Sequence, residues 1–221
     1  MDREEVIGLA KAESSLLGLW SKSFFRPTVE LTEELRSGIF VSDLQQLLSA
    51  CDDTEIVAAI NVLEEFSREL AQKDLEAARL TLEVDYNRLF VGPSALLAPP
   101  YESFYTSADL GEDGRGVLRG PAEREVKAEY LSHGLTMRNE FVEFPDHVAI
   151  ELEYLSLLAL QEAEAWERGD EESALVLQET QERFKRVHLG SWFERFADSV
   201  IGGARTRFYP NIVILVMRTV L

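Results

Sequence analysis

The chain has 221 residues, of which 46% are hydrophobic and 10% aromatic, and this globular composition excludes a disordered chain. Its 22 Lys and Arg against 40 Asp and Glu give a formal net charge of −18. That charge disfavours nucleic acid and anionic membranes, whose phosphates would be repelled, and it favours a basic partner. Solvation of the surface is nevertheless the commoner reason for acidity alone.

The cysteine content and the N-terminal sequence of the chain predict its cellular compartment. Cys51 is the single cysteine, so neither an intramolecular disulfide nor a cysteine metal cluster is expected, as in a reducing compartment. The acidic N-terminus lacks the basic start and apolar core of a signal peptide. The longest apolar run, residues 212–217, is far shorter than the roughly 20 residues that span a bilayer. A soluble, cytoplasmic protein without stable membrane insertion is predicted.

Apolar residues at helical spacing account for almost the whole chain and predict an all-α fold of about ten helices in one domain, residues 1–221. The first helix is predicted over residues 2–25. Two shorter helices follow, with Thr32 and Ser42 as candidate N-caps, because a hydroxyl can accept a hydrogen bond from an unpaired backbone N–H. A long helix then opens at Thr54. Its predicted buried stripe consists of Ile56, Val57, Ile60, Leu63, Phe66 and Leu70.

A helix over about residues 75–90 leads into the most informative stretch, Asp85 to Tyr105, which reads D-Y-N-R-L-F-V-G-P-S-A-L-L-A-P-P-Y-E-S-F-Y. Gly92-Pro93 is predicted to end the helix, since glycine tolerates left-handed angles and proline cannot continue the backbone ladder. The loop that follows is apolar, stiffened by Pro99-Pro100 and closed by aromatic residues. Loops are usually polar, so this one indicates either burial or a surface that receives a partner.

Residues 109–120 contain four glycines and alternating charge, and they are predicted to form a flexible connector. A phosphate-binding loop is rejected there, because no strand precedes the glycines and no Gly-Lys-Ser/Thr follows them. A helix is expected to start at Pro121. Another is expected to start at Pro145, with Asp146 at the positive end of its dipole.

Three helices are predicted to complete the chain, over residues 171–187, 188–201 and 206–221. The last of them has strand composition. It is expected to be a buried helix, because no other segment is predicted to pair with it as a strand.

No residue pattern indicates catalysis. His147 and His188 lack the Glu three residues earlier that a di-iron helical bundle requires. His147 with Glu143 or Glu151 would make half of a metal site, but a lone histidine at a helix start is more often a capping group. The serines of the aromatic stretch lack a nucleophile elbow. The chain is therefore predicted not to be an enzyme, and no stoichiometric metal is expected.

Three blocks of sequence occur together in this chain. The first is Y-N-R-L-F-V-G-P-S-A-L-L-A-P-P-Y-E-S-F-Y, residues 86–105, and the second is E-F-P-D-H-V-A-I-E-L-E-Y, residues 143–154. The third combines H-L-G-S-W-F with A-R-T-R-F-Y near the C-terminus. In this order the blocks resemble the TorD/DmsD/NarJ family of redox-enzyme maturation chaperones. The first block is long and specific, whereas the N-terminal half matches only in being helical.

The resemblance implies an all-helical chaperone without catalytic activity and without a cofactor. It implies binding to the twin-arginine signal peptide, or the N-terminal segment, of the apo-form catalytic subunit of a molybdenum- or tungsten-cofactor oxidoreductase until the cofactor is inserted. It leaves open a monomer or a helix-exchanged dimer, with residues 109–120 as the hinge. One alternative is a NarJ-type assembly factor for a membrane-bound nitrate-reductase-like enzyme. Another is guanine nucleotide binding, for which only Arg115 and Arg119 suggest a phosphate site.

The resemblance also indicates a peptide site, with Tyr101 where some members carry tryptophan. Glu102 and Asp146 are the carboxylates expected to meet arginine, and apolar side chains would form a groove beside them. Other roles remain open at this stage: Asp146 as a helix cap, Phe90 as a core residue, and His147 as a group whose charge changes near physiological pH. The predicted site is Phe90, Leu96, Leu97, Pro99, Pro100, Tyr101, Glu102, Tyr105, Asp146 and His147.

Overall fold

A computed structural model describes residues 2–92, 96–107, 116, 118–136 and 143–221. Within these ranges the chain is helical and has no strand, apart from one isolated antiparallel bridge between Tyr101 and His147. The prediction of an all-α fold is confirmed. The α-helices are α1 (Arg3–Phe24), α2 (Val29–Ser37), α3 (Ile39–Leu47), α4 (Thr54–Ala71), α5 (Leu75–Tyr86), α6 (Glu102–Thr106), α7 (Pro121–Ser132), α8 (Val148–Arg168), α9 (Glu171–Phe184), α10 (Gly190–Gly203) and α11 (Phe208–Thr219).

Two of these helices end in a π-helical turn, Asn87–Val91 after α5 and Lys185–Leu189 after α9. The predicted extents of about 75–90 and 171–187 therefore run through a change of helix type that periodicity does not reveal. Gly92 follows the first π-turn with φ 48°, so the predicted glycine stop is confirmed. No described helix is both long and apolar enough to cross a membrane.

Several predicted helix starts were displaced. Thr28, not Thr32, caps α2, where its Oγ1 accepts from the Leu31 N–H at 3.1 Å. Thr32 lies one turn inside and donates to the Thr28 carbonyl instead. Ser42 lies inside α3, which begins just after Gly38. In α4, Val57 is 48% exposed and does not belong to the buried stripe, whereas the other predicted members are buried.

The chain forms two compact units, each built from two stretches of sequence. The first unit comprises Met1–Ser21 and Pro100–Phe193, and α8 and α9 pack there as an antiparallel pair joined through Gly169, whose φ is 76°. The second comprises Lys22–Pro99 and Glu194–Leu221. The single chaperone domain stays a prediction. The connector predicted at 109–120 lies outside the described residues, except for Gly116 and residues 118–120.

An aromatic cluster fills the core of the second unit. Phe90 contacts Tyr86 and Tyr209 edge-on, with ring centroids 5.2 Å apart in both pairs. Phe24 and Phe196 pack against the same ring at 6.4 and 6.0 Å. Burial of such rings drives the packing of α5, α10 and α11 in this unit. The C-terminal segment is accordingly a buried helix, as predicted.

Candidate functional site

In the first unit, the aromatic stretch lies beside the Pro-Asp-His turn. Tyr101 and His147 form the isolated bridge: the Glu102 N–H donates to the Asp146 carbonyl at 3.0 Å, and the Val148 N–H donates to the Pro100 carbonyl at 2.9 Å. These backbone bonds join residues of the first and second sequence blocks that are 44 and 48 positions apart in the chain. Six of the predicted site residues therefore share one place: Pro100, Tyr101, Glu102, Tyr105, Asp146 and His147.

Asp146 caps a helix, but not the one predicted. Its side chain is fully buried, and Oδ2 accepts from the Ser103 N–H at 2.9 Å, at the start of α6. The helix that follows, α8, is capped by His147, whose Nδ1 accepts from the Ala149 N–H at 3.1 Å. Pro145 had been expected in the first turn of this helix, but it lies in the turn that precedes α8. Asp146 therefore joins α6 to the start of α8 in place of serving its own helix dipole.

Of the roles left open for His147, a change of charge near physiological pH is disfavoured by its burial. Burial lowers its pKa to about 3, because the charged imidazolium would lose its hydration. The Nδ1 that accepts the capping bond carries no hydrogen, so the neutral ring is protonated on Nε2. His147 also lies edge-on to the Tyr101 ring, with centroids 5.1 Å apart. It acts as a capping group, one of the roles that sequence reasoning had left open.

The outer side of the same segment is aromatic and partly exposed. Tyr101 is half-buried, donates its hydroxyl to Glu143 Oε2 at 2.6 Å and packs its ring against Phe144. Phe104 and Tyr105 are half-buried and contact each other edge-on at 5.1 Å. Rigid aromatic side chains beside a partly exposed carboxylate suit a ligand that carries both apolar and basic groups.

Beneath this face lies a group of buried carboxyls. Glu102 Oε2 is 2.9 Å from His188 Nδ1, and both side chains are buried. Glu151 of α8 accepts from Trp192 Nε1 at 3.3 Å and contacts the Glu102 side chain. Burial and the negative charges of Glu102 and Asp146 raise the pKa of Glu151 well above its usual value. We call Glu102, Asp146, Glu151 and His188 the buried acid cluster.

Two carboxyl oxygens of this cluster have no hydrogen-bond partner among the residues that the structure describes, Asp146 Oδ1 and Glu151 Oε1. Most buried carboxylate oxygens in proteins are paired, so each of these is unusual. No group of three or more His, Cys, Asp or Glu in the described ranges is arranged to hold a metal ion. The half-site considered for His147 is occupied by its capping bond to Ala149.

Arg119 has a partner of its own, which bears on the nucleotide alternative. Its guanidinium lies over the Phe144 ring, 4.6 Å from the centroid, as a cation–π contact. Arg115, the other arginine considered, lies outside the described residues.

The remaining predicted site residues belong to the second unit. Phe90 and Pro99 are buried, Leu96 is half-buried and Leu97 is 43% exposed. Phe90 occupies the aromatic core, the alternative that its helical spacing had indicated. The Ala98 N–H donates to the Leu89 carbonyl at 3.0 Å and ties the loop to the π-turn.

Sequence reasoning missed the role of His188, Trp192 and Glu151 as buried partners of this site. For one of these three residues, Glu151, the sequence did contain an indication. Glu151 lies three residues after Val148 and four before Leu155, on the apolar stripe of α8, where a carboxyl is out of place. His188 and Trp192 belong to the third sequence block, but nothing in that block indicates which carboxyls they meet.

Comparison with known proteins supplies the family. The family model described as nitrate reductase delta subunit matches residues 49–198, about two thirds of the chain. The chain belongs to this family. The resemblance to TorD/DmsD/NarJ proteins is thereby confirmed, and the matched range includes the first two sequence blocks in full.

Two curated relatives agree with this assignment, and one solved structure shares the fold. The chaperone protein TorD of Photobacterium profundum is 31% identical over 66% of this chain and 63% of its own length, less than two thirds. The TorD of Aliivibrio fischeri is 27% identical over 86% of this chain and 84% of its own. A protein of Archaeoglobus fulgidus assigned to redox enzyme maturation shares the fold, with a TM-score of 0.54, 21% identity, and coverage of 93% and 91% of the two chains. The two curated relatives are named as chaperones, a role without catalysis.

Proposed function

We propose that the protein is a cytoplasmic redox-enzyme maturation chaperone. It binds the twin-arginine signal peptide, or the N-terminal segment, of an apo-form molybdenum or tungsten oxidoreductase and holds it while the cofactor is inserted. Membership of the family and the chaperone names of its relatives support the chaperone role. The client class comes from the resemblance of the three sequence blocks.

The observation that carries the proposal is the fixed, half-exposed aromatic face of Pro100–Thr106. A signal peptide offers two guanidinium groups followed by an apolar run, and recognition needs carboxylates beside apolar surface. In the proposal Tyr101 and Tyr105 meet the apolar run, and the partly exposed Glu143 meets a guanidinium. Leu96 and Leu97 stay predicted contacts of the same peptide.

Glu102, Asp146 and His147 take a different part from the one expected of them. They are 4%, 0% and 1% exposed, and their polar atoms bind groups of the chain itself. In the proposal these three residues hold the Pro100–Thr106 segment in place, and the peptide contacts the half-exposed aromatic side chains of that segment. The net charge of −18 raises the rate at which a basic peptide is encountered.

Calorimetric titration with twin-arginine peptides from candidate client enzymes tests the proposal, with Arg-Arg changed to Gln-Gln as the peptide control. Micromolar or tighter binding is expected, a binding free energy of about −8 kcal/mol or more negative. Tyr101→Ala is expected to weaken binding at least about tenfold, because aromatic anchors dominate such interfaces. The matched protein control is Leu131→Ala, a 55% exposed leucine on α7 of the same unit.

A second candidate function follows from the name of the matching family, nitrate reductase delta subunit. In that role the same face would bind an N-terminal segment without twin arginines, so a peptide of that mature N-terminal segment would bind and the twin-arginine peptide would not. Failure of both peptides to bind would contradict both candidates.

A further inference from the structure

Glu102 and Glu151 approach each other in the interior of the first unit. Their partners, His188 and Trp192, are four residues apart, and the two carboxyl side chains contact each other and are buried. Glu151 Oε1 has no N–H or O–H donor within the described ranges. Two ionised carboxylates can only accept hydrogen bonds, and their like charges repel in a medium of low dielectric constant. A proton between the two carboxyls removes both problems.

The neighbours decide which carboxyl keeps that proton. Glu102 already has a donor, because His188 Nδ1 lies 2.9 Å from its Oε2. From the part of the chain that the structure describes, Glu151 receives only the indole N–H of Trp192, at 3.3 Å. The ionisable groups that face Glu151 are Glu102 from α6, Asp146 from the turn before α8 and Tyr130 from α7. Glu102 and Asp146 disfavour a negative charge on Glu151, whereas Tyr130 is uncharged, so Glu151 is the acid and donates to Glu102.

The shared proton has a consequence for the aromatic face. Glu102 is the first residue of α6, and at this end of the helix the Glu102 and Ser103 N–H groups bind Asp146. A five-residue helix has little stability of its own. Tyr105 closes the arrangement, with its ring stacked on Trp192 at 5.5 Å. The contact between Glu151 and Glu102 therefore joins the side chain of the first residue of α6 to α8.

We propose that Glu151 is a positioning residue, which as a neutral carboxylic acid donates its proton to Glu102 and locks the Pro100–Thr106 segment in the conformation that presents Tyr101 and Tyr105. The effect on client binding rests on the function proposed above. The lock itself does not, since it is a property of the chain alone.

The chain offers a matched control on the same helix. Glu162 of α8 is also buried, but its Oε1 accepts from Trp166 Nε1 at 3.2 Å and its Oε2 from Gln181 Nε2 at 2.7 Å. It is an acceptor on both oxygens, whereas Glu151 needs to donate. The same change, Glu→Gln, therefore keeps the required donor at 151 and places an amide against donors at 162.

The experiment compares Glu151→Gln, Glu151→Ala and Glu162→Gln with the unmodified full chain. We expect the infrared carbonyl band of a protonated carboxylic acid at neutral pH, lost in Glu151→Gln and retained in Glu162→Gln. Hydrogen exchange at the Glu102 and Ser103 amides should be unchanged in Glu151→Gln and at least about tenfold faster in Glu151→Ala, which loses the donor. Glu162→Gln should lower the melting temperature and leave those two amides unchanged.

Two results would overturn the lock: absence of the carboxylic acid band from the unmodified protein, or equal loosening of the segment by Gln and Ala at 151. If Glu151→Ala does not fold, the band and the Gln comparison still decide. Peptide titration of the same variants is a separate readout. If the band and the rescue by Gln are found and no variant binds peptide, the proposed function fails while the lock stands.

Discussion

Asp85 of the second unit and the buried acid cluster of the first use buried carboxyls in opposite ways. In the second unit Asp85 is 1% exposed and accepts from the Arg205 N–H, the Thr206 N–H and the Thr206 hydroxyl, at distances between 2.7 and 3.1 Å. In the first unit the buried acid cluster holds three carboxyls, and two of their oxygens have no partner among the described residues. Asp85 has a donor on each oxygen, whereas in the acid cluster two oxygens receive none from the described residues.

The difference separates a structural role from a functional one. Asp85 joins the end of α5 to the segment before α11, and each of its oxygens is used, which is the arrangement that stabilises a buried charge. The acid cluster has such compensation only in part, because Asp146 Oδ1 receives no donor from the described residues, and unpaired buried acceptors reduce stability. Proteins retain such costs mainly where function needs them. The cluster lies directly beneath the aromatic face proposed to bind the client, whereas Asp85 underlies no predicted contact of its own.

The largest expected effect is the loss of the satisfied carboxylate. Asp85→Asn should lower the free energy of unfolding by about 3 kcal/mol, because an amide group replaces a charged acceptor opposite several donors. Asp146→Asn should lower it by only about 1 kcal/mol, since a single N–H donates to that side chain. Urea denaturation of both variants measures the ranking. Equal losses of unfolding free energy in the two variants would contradict the distinction drawn between Asp85 and the acid cluster.

Acid should weaken the first unit through His147. Its pKa is about 3 in the folded protein and 6.5 in the unfolded chain, so the unfolded chain binds more protons between these values. The stability that His147 contributes is present above pH 6.5 and is lost as the pH falls. At pH 5 the loss is about 2 kcal/mol, from about 1.4 kcal/mol for each pH unit.

A change of pH alters the stability contribution of Glu151 in the opposite direction from that of His147. The effect of His147 must therefore be measured as a difference between two proteins. The raised pKa of Glu151 makes its contribution greatest below about 4.5, the usual value, and it declines as the pH rises. Comparison with His147→Asn isolates the histidine, because asparagine retains an N-cap acceptor and does not titrate. Below pH 6.5 the free energy of unfolding of the unmodified protein should fall relative to that of His147→Asn. A constant difference from pH 7 to pH 5 would show that His147 is not held neutral by burial.

Sequence patterns predicted the helices but not the partners of buried polar groups. Periodicity identified α1, α4 and α11 because a helix shows its buried face in local spacing. Asp146 was expected to serve the helix beside it, and its actual partner, the Ser103 N–H, lies 43 residues away. The π-turns and the meeting of Glu102 with His188 likewise depend on tertiary packing. Only Glu151 left a local sign, a carboxyl on an apolar stripe.

The smallest effect is expected where a carboxylate is paired near the surface. Arg183 binds both oxygens of Glu129, at 2.5 and 2.7 Å, and this partner lowers the Glu129 pKa. Solvent reaches both side chains, so Glu129→Gln should cost less than about 1 kcal/mol, and less still in high salt. Denaturation at two salt concentrations measures this. A loss as large as that of Asp85→Asn would show that burial is not what ranks these carboxyls.

Site-specific photocrosslinking tests the central claim, that the client segment binds the aromatic face of Pro100–Thr106. A photoreactive phenylalanine analogue replaces Tyr101 in one protein and Leu175, an exposed residue of α9, in another. Each is irradiated with a twin-arginine peptide and with its Gln-Gln counterpart. The account predicts a crosslink from position 101 to the twin-arginine peptide and little from position 175. Equal crosslinking from both positions, or a crosslink from 175 alone, would contradict it.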